Sequence, residues 1–213
     1  MPQAASRQRR DLSLDEIIDR ASVILRDEGD EALTMRRIAT ECGVTPMAIY
    51  HHVTDKETLT RLVMDRLIDA ALVPRSAGDW RTDMIEFASG YRRVFIDNPG
   101  AGRLYVRQPV IGPGTARAVE EVFRILATAG FPPAAIGRAA DAIVLLIMGS
   151  LVNDLTRPAN IRDQLIDVIP RSETPHMKRS LKVFSHRDPE QRFRDAVAWL
   201  LDGLEYALMH ERS

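Results

Sequence analysis

Residues 43–56 read Gly43-Val44-Thr45-Pro46-Met47-Ala48-Ile49-Tyr50-His51-His52-Val53-Thr54-Asp55-Lys56. Gly43 suits the left-handed position that closes a helix, Thr45 is of the N-cap type, Pro46 fits the first helical position behind it, and Asp55 is a second N-cap. The spacing predicts a helix that ends before Gly43, a short one over about Pro46 to Val53, and another that starts at Lys56. Ile49 and Val53 stand one helical turn apart and face the core. Pro46, Met47, Ala48, Tyr50 and His51 are thereby turned outward or sideways.

Two short helices joined through a glycine turn describe a helix-turn-helix, a unit that lays its second helix in a DNA major groove. The residue types suit that use. Met47 and Ala48 offer apolar contact to a thymine methyl, while the Tyr50 hydroxyl and the His52 imidazole donate to phosphates. Thr45 and Thr54 add hydroxyl donors, and Lys56 sits where a cation and free helix N–H groups can grip one phosphate. The same hairpin also occurs in helical proteins that never touch DNA, so on these residues alone both readings stand.

Upstream, Ser13-Leu14-Asp15-Glu16 is a capping box with Leu12 ahead of it as a staple partner, and Leu14, Ile17, Ile18, Ala21 and Leu25 form one apolar stripe. A helix over about residues 13–28 follows. Thr34 caps the next, through Ile38 and Ala39, whose first turn carries Arg36 and Arg37. With the second helix of the hairpin in the groove, these two arginines face a backbone strand. The tail, residues 1–12, holds Arg7, Arg9 and Arg10, which suit an adjacent minor groove. Downstream, Leu59, Leu62, Val63, Leu67 and Ile68 support a long helix over about 56–73.

Pro74 and the stretch Ser76 to Gly78 mark the main change in composition. The chain divides into a basic tail (1–12), a helix-turn-helix domain (13–60) and a larger helical domain (61–213). Further helices are expected over about 80–97, 115–129, 134–155 and 189–210. Asn98-Pro99-Gly100 reads as a stop, Pro109 to Gly114 as an irregular connector, and 156–189, with Pro158, Pro170, Pro175 and Pro189, as a long, partly helical, mobile loop. From Ile143 to Leu151 the sequence is apolar nearly all round and needs cover on every side. No stretch alternates with the period of a strand, so the fold class is all-α.

With 213 residues, 45% hydrophobic and 28% charged, the composition is that of an ordinary soluble globular chain. Lysine plus arginine number 29 against 30 acidic residues, a net charge of −1, so any attraction to nucleic acid rests on local placement. A single cysteine, Cys42, excludes an internal disulfide and a thiolate zinc site, and the scattered histidines suggest no metal and no cofactor. The apolar run Ala139 to Val152 is shorter than the ~18 residues of a membrane span. The polar N-terminal stretch is neither a secretory signal nor an anchor, so the expected location is the cytoplasm, with no membrane partner. Gly112-Pro113-Gly114-Thr115 lacks the Gly-Lys-Ser/Thr ending of a phosphate loop, and no catalytic constellation is legible, so no enzyme is expected.

The segment Ser13 to Leu72, above all Gly43 to Leu59, resembles the DNA-binding domain of the TetR family of transcriptional repressors. The resemblance implies backbone contacts from Tyr50, His52 and Lys56 and base reading from Thr45, Met47 and Ala48, with Val53 where Phe is commoner. The remainder is more loosely similar to the tetracycline-repressor subgroup, through Pro99-Gly100-Ala101, Ala129-Gly130-Phe131 and Leu200-Leu201-Asp202-Gly203-Leu204-Glu205. That implies a homodimer through the last two long helices, with Leu146, Leu151, Val197, Leu200, Leu201, Leu204 and Leu208 as interface candidates. It also implies an effector pocket. Its apolar candidates are Phe87, Tyr91, Phe95, Leu104, Tyr105, Phe123, Leu126, Ile143 and Ile147, and its polar ones Arg103, Arg107 and Asn153.

The stretch Gly102-Arg103-Leu104-Tyr105-Val106-Arg107 has no histidine of the kind that holds a magnesium-bound drug in that subgroup, so the implied effector is small, moderately hydrophobic and free of metal, with Arg103, Arg107 or Asn153 for polarity and room for an anionic group. The expected function is a repressor that binds a palindromic double-stranded operator as a homodimer and is released by the effector. The alternative is a helical small-molecule carrier or interaction protein that does not bind DNA.

Overall fold

A computed structural model describes residues 12–72, 78–108, 110–157 and 188–210, together with single positions between 161 and 180. Among the described residues the bounded helices are α1 (Leu14–Asp27), α2 (Met35–Cys42), α3 (Pro46–Tyr50), α4 (Lys56–Ala71), α5 (Trp80–Asp97), α6 (Pro99–Arg107), α7 (Pro113–Thr128), α8 (Pro133–Thr156) and α9 (Pro189–His210), with no strand. The chain is all-α. Arg7, Arg9 and Arg10 of the tail and most of the 156–189 stretch lie outside the described residues.

Local signals place the first four helices. The Ser13 hydroxyl accepts from the Glu16 N–H at 3.1 Å to start α1, which buries Ile17, Ile18, Ala21, Ile24 and Leu25. Leu12 is packed against the same core, as a staple residue would be. The Asp55 carboxylate caps α4 at the Thr58 N–H, 2.7 Å away, and Leu59, Val63, Met64 and Ile68 go inside. α4 runs unbroken through the sequence-based boundary at residues 60 and 61, packing on α1, α5 and α7. One apolar core therefore continues from α1 through α4 into the larger helical part.

Two helix starts differ from the sequence reading, both at a proline. Asn98 does end α5, but Pro99 opens α6 at once, because a proline at the first helical position gives up only an N–H that would have no helical partner. Pro113 likewise starts α7 within the stretch read as a connector. α6 packs backbone against backbone: a Cβ on Gly100 would lie 1.8 Å from the Leu25 carbonyl oxygen at the end of α1. α7 meets α4 equally closely, since the Gly114 N–H donates to the Asp65 carboxylate at 3.0 Å.

Within a single chain α8 is covered on one face only. Ile143, Ile147 and Leu151 are buried, whereas Val144, Leu145 and Val152 are exposed. By length and composition this 24-residue helix is apolar enough to cross a membrane, yet its buried face is part of the core. α5, α8 and α9 are locked by Arg92, whose guanidinium donates to Ser150 Oγ at 2.9 Å, Asp154 at 2.5 Å and Glu190 at 2.8 Å and lies over the Phe193 ring. Such a buried cation tolerates its position because every side of it is paired.

Candidate nucleic-acid interface and internal cavity

The tip formed by α2 and α3 is fixed from both sides. Gly43 adopts φ 68°, its N–H donates to the Thr40 carbonyl at 3.1 Å, and the Val44 N–H donates to that of Ala39 at 2.9 Å, which turns the chain sharply into α3. Ile49 and Val53 are buried, so the intervening side chains have no room inside. Met47 is 66% and Tyr50 48% exposed, and Pro46, His51 and His52 are also on the surface, with Ala48 half-buried. An apolar Met held out in water at the end of a five-residue helix makes sense as a contact surface rather than as packing.

Two expectations about this tip change. α3 ends at Tyr50, shorter than the stretch to Val53, because His51 already closes it. Thr45 occupies the N-cap position, but its hydroxyl makes no capping hydrogen bond. It is exposed beside Pro46.

The flanking cations are arranged unequally. Arg36 is exposed, whereas the Arg37 guanidinium is shared between Glu28, at 3.0 Å, and Glu41. These two carboxylates raise the Arg37 pKa, Glu28 first through its hydrogen bond. Lys56 donates from Nζ to the Asp30 carbonyl oxygen at 2.5 Å, which aims the first turn of α4 toward the loop after α1. The Thr58 N–H of that turn is already occupied by Asp55. Hydrogen bonds from the Thr58 N–H and hydroxyl and from Thr54 hold the Asp55 carboxyl below the usual carboxylate range.

A cavity of about 100 Å³, open on one side, lies between α5, α6, α7 and α8. Of the sequence candidates, Phe87, Tyr91, Tyr105 and Ile147 line it. Thr115, Ala118, Val119, Val122, Ala140, Val144 and Met148, which sequence reading missed, complete the wall. The helical spacing of 115, 118, 119 and 122 on α7 was the available signal, but only a second helix could show that this face borders a void.

The remaining candidates are elsewhere. Phe95, Leu126 and Ile143 are packed solid in the core, with Phe95 stacked on Tyr105 at 4.4 Å between ring centres, and Phe123 points outward. Arg103 and Asn153 border a different, polar groove beside Arg92. Arg107 pairs with Asp30 at 3.4 Å, and Leu104 faces the groove beside Lys56. Charged α6 residues face outward because the buried side of that helix is taken by Gly100, Ala101, Gly102 and Tyr105.

The last two helices present apolar side chains to solvent. Leu145 is 72% and Trp199 68% exposed, with Val152, Tyr206 and Met209 beside them in the two helices. Gly149 and Gly203 also lie on exposed positions with open space where a Cβ would be. Three of the proposed interface leucines and valines, Leu151, Val197 and Leu201, are fully inside this chain's own core and have no surface left for a partner. Leu146, Leu200, Leu204 and Leu208 keep part of theirs.

Two family descriptions match the chain: "Bacterial regulatory proteins, tetR family" over residues 17–63 and "Tetracyclin repressor-like, C-terminal domain" over 74–208. An HTH-type transcriptional regulator of Saccharopolyspora erythraea is 32% identical over 151 residues, which span 70% of this chain and 64% of that protein. The tetracycline repressor protein class C of Escherichia coli is 26% identical over 204 residues, 91% of each chain. Among solved structures, the TetR family protein ActR of Streptomyces coelicolor superposes with a TM-score of 0.81 at 24% identity, over 96% of this chain and 99% of that one.

Proposed function

The chain belongs to the TetR family of bacterial regulatory proteins, and from that premise we propose that it is a cytoplasmic transcriptional repressor that binds a palindromic operator as a homodimer and leaves it when a small effector fills the cavity. The observation that carries the reading is the tip. Pro46, Met47, Tyr50, His51 and His52 face solvent while Ile49 and Val53 anchor them, the arrangement a recognition helix needs. Met47, Ala48 and Thr45 read base edges, with Pro46 and His51 at the groove walls. Tyr50, His52, Arg36 and Lys56 hold the phosphates, and Arg37 follows where its carboxylate partners yield.

The dimer reading draws on the exposed apolar faces of α8 and α9. Leu145, Val152, Trp199 and Tyr206 gain burial if the two helices pack against their copies, and Gly149 and Gly203 let the backbones come close. An effector acts through α4. Thr115, in the cavity wall, follows Gly114, whose N–H holds Asp65 of α4, and Lys56 stands at the other end of that same helix. An effector that prefers the DNA-incompetent spacing of the two tips weakens operator binding, and operator weakens effector binding by the same factor.

Selection of random duplexes by the purified chain, followed by sequencing, tests the reading. A palindrome with half-sites about one helical turn apart is expected. Replacing both Tyr50 and Lys56 with alanine then lowers affinity for that duplex at least about tenfold and flattens its salt dependence. A chain that enriches no motif, or whose double variant binds unchanged, is not a repressor of this kind and stands instead as a helical carrier.

A further inference from the structure

We infer that the cavity selects a neutral, flat aromatic molecule carrying a hydrogen-bond acceptor such as a carbonyl, and that the hydroxyl pair Tyr91–Tyr105 reads that acceptor. The inference rests on the regulator reading above for its biological use, but its chemistry comes from the wall. No charged side chain lines the cavity among the described residues. Its polar side-chain groups are three hydroxyls, those of Tyr91, Tyr105 and Thr115.

Each hydroxyl has a definite state. The Thr115 hydroxyl donates to the Val110 carbonyl at 2.9 Å, so its proton is used. The Tyr91 and Tyr105 oxygens lie 2.8 Å apart. One O–H donates to the other oxygen, which leaves one O–H of the pair without an acceptor among the described residues, at a place where both residues are only 7% exposed. A buried donor without a partner is costlier than a spare lone pair, so the pair favours a ligand that accepts. Burial and the neighbouring phenol push the Tyr91 pKa up, which keeps the donor protonated.

The shape of the wall supplies the rest. Phe87, Tyr91 and Tyr105 supply aromatic lining from α5 and α6, and valine, alanine, isoleucine and methionine side chains from α7 and α8 supply aliphatic lining. A flat aromatic ring system gains most from such a lining, stacking or meeting ring edges on one part and packing on methyl groups on the other. An ionised ligand finds no counter-charge there, because Arg103 and Arg107 face other surfaces, and its desolvation goes uncompensated.

The test is equilibrium dialysis of the full-length chain against three probes with one skeleton: fluorene, 9-fluorenone and 9-fluorenone-2-carboxylate. The carboxylate is expected to bind at least about tenfold more weakly than fluorenone, since nothing offsets its charge. In the double variant Tyr91→Phe, Tyr105→Phe the ratio of fluorenone to fluorene affinity is expected to fall about fivefold to tenfold, the worth of one neutral hydrogen bond with a buried donor. Fluorene still binds the variant, at least as tightly as before because no donor is left unpartnered, which reports an intact cavity. An unmoved ratio, a carboxylate that binds as tightly as fluorenone, or no binding of any probe overturns the proposal. Retention of a selected palindromic duplex, measured on the same preparation without probe, reports separately on the regulator reading. Loss of the duplex sinks that reading whatever the probes do, and retention with failed probes sinks only the ligand class.

Discussion

The first half of α4, through Met64, and its second half, from Asp65, are fastened by different physics. Leu59, Val63 and Met64 are fully buried in the core that also holds Ile17, Leu25 and Ile49. Beyond Met64, Ile68 is the fully buried apolar residue, and polar pins take over: Asp65 accepts from the Gly114 N–H, Arg66 pairs at the surface with Asp15 and Asp19 of α1, and Asp69 holds Arg117 in a fork at 2.9 and 2.6 Å. Apolar burial resists sliding, because every displaced methyl loses contacts at once. Surface ion pairs exchange for water at little net cost. The tip and the first half of α4 should therefore move as one body, with adjustment concentrated where α4 meets α7.

The largest effect expected from this contrast is on the buried half. Leu59→Ala should lower unfolding free energy by about 2–5 kcal/mol in a denaturant titration, as a deleted core leucine does. Gly100→Ala should be of similar rank, about 1–3 kcal/mol, because backbone rather than a movable side chain blocks its Cβ. Gly137→Ala, in the same kind of titration, serves as the opposite case. Nothing lies within 4 Å of its Cβ position on α8, so helix propensity alone should raise stability by about 0.5–1 kcal/mol. Equal costs for Leu59→Ala and a variant of Asp65 would erase the distinction between the two halves of α4.

Asp65→Ala removes the acceptor for the Gly114 N–H in the first turn of α7 and should lower stability by about 1 kcal/mol. Its sharper signature is functional. With the pin gone, the effector concentration that releases half the operator should shift, while operator affinity without effector stays within a fewfold. A shift in both, or in neither, removes Asp65 from the coupling. Arg117→Ala should act in the same direction but more weakly, and its effect should disappear as salt is raised, since Arg117 and Asp69 are on the surface.

The tip was legible because its determinants are neighbours in sequence. Gly43, Pro46, Asp55 and the pair Ile49 and Val53 each act within a few residues, and all five are where spacing put them. The cavity was half legible because four helices build it. Aromatic residues on α5 and α6 advertised themselves, but Thr115, Ala118 and Val122 on α7 have no property that separates cavity lining from core. α6 escaped for another reason. Asn98-Pro99-Gly100 carries the same signature as a helix stop, and whether Pro99 ends one helix or begins the next depends on what Gly100 packs against, here the carbonyl of Leu25. The interface stripe met a related limit, since Val197 and Leu201, which are buried in this chain, look the same in sequence as residues that face another.

The smallest expected effect belongs to the carboxylate cap that starts the buried half. Asp55 accepts from the Thr58 N–H only in the folded chain, and that bond favours its ionised form, so its folded pKa lies below the ordinary value of 3.8. The folded state thus binds this proton less readily than the unfolded one. Its contribution is present above the unfolded value and disappears as pH falls through the folded value. Asp55→Asn keeps a capping oxygen but cannot titrate. The melting temperature of the original chain should exceed that of the variant near neutral pH, and the gap should close as the solution is acidified below the ordinary carboxylate range. Asp79 accepts from the Thr82 hydroxyl and caps α5 at the Thr82 and Arg81 N–H groups. These bonds lower its pKa, the hydroxyl's most, and add a parallel acid loss that Asp55→Asn leaves in place. A gap that stays constant with pH would mean that the charge on Asp55 contributes nothing to α4, and that burial alone sets where the helix begins.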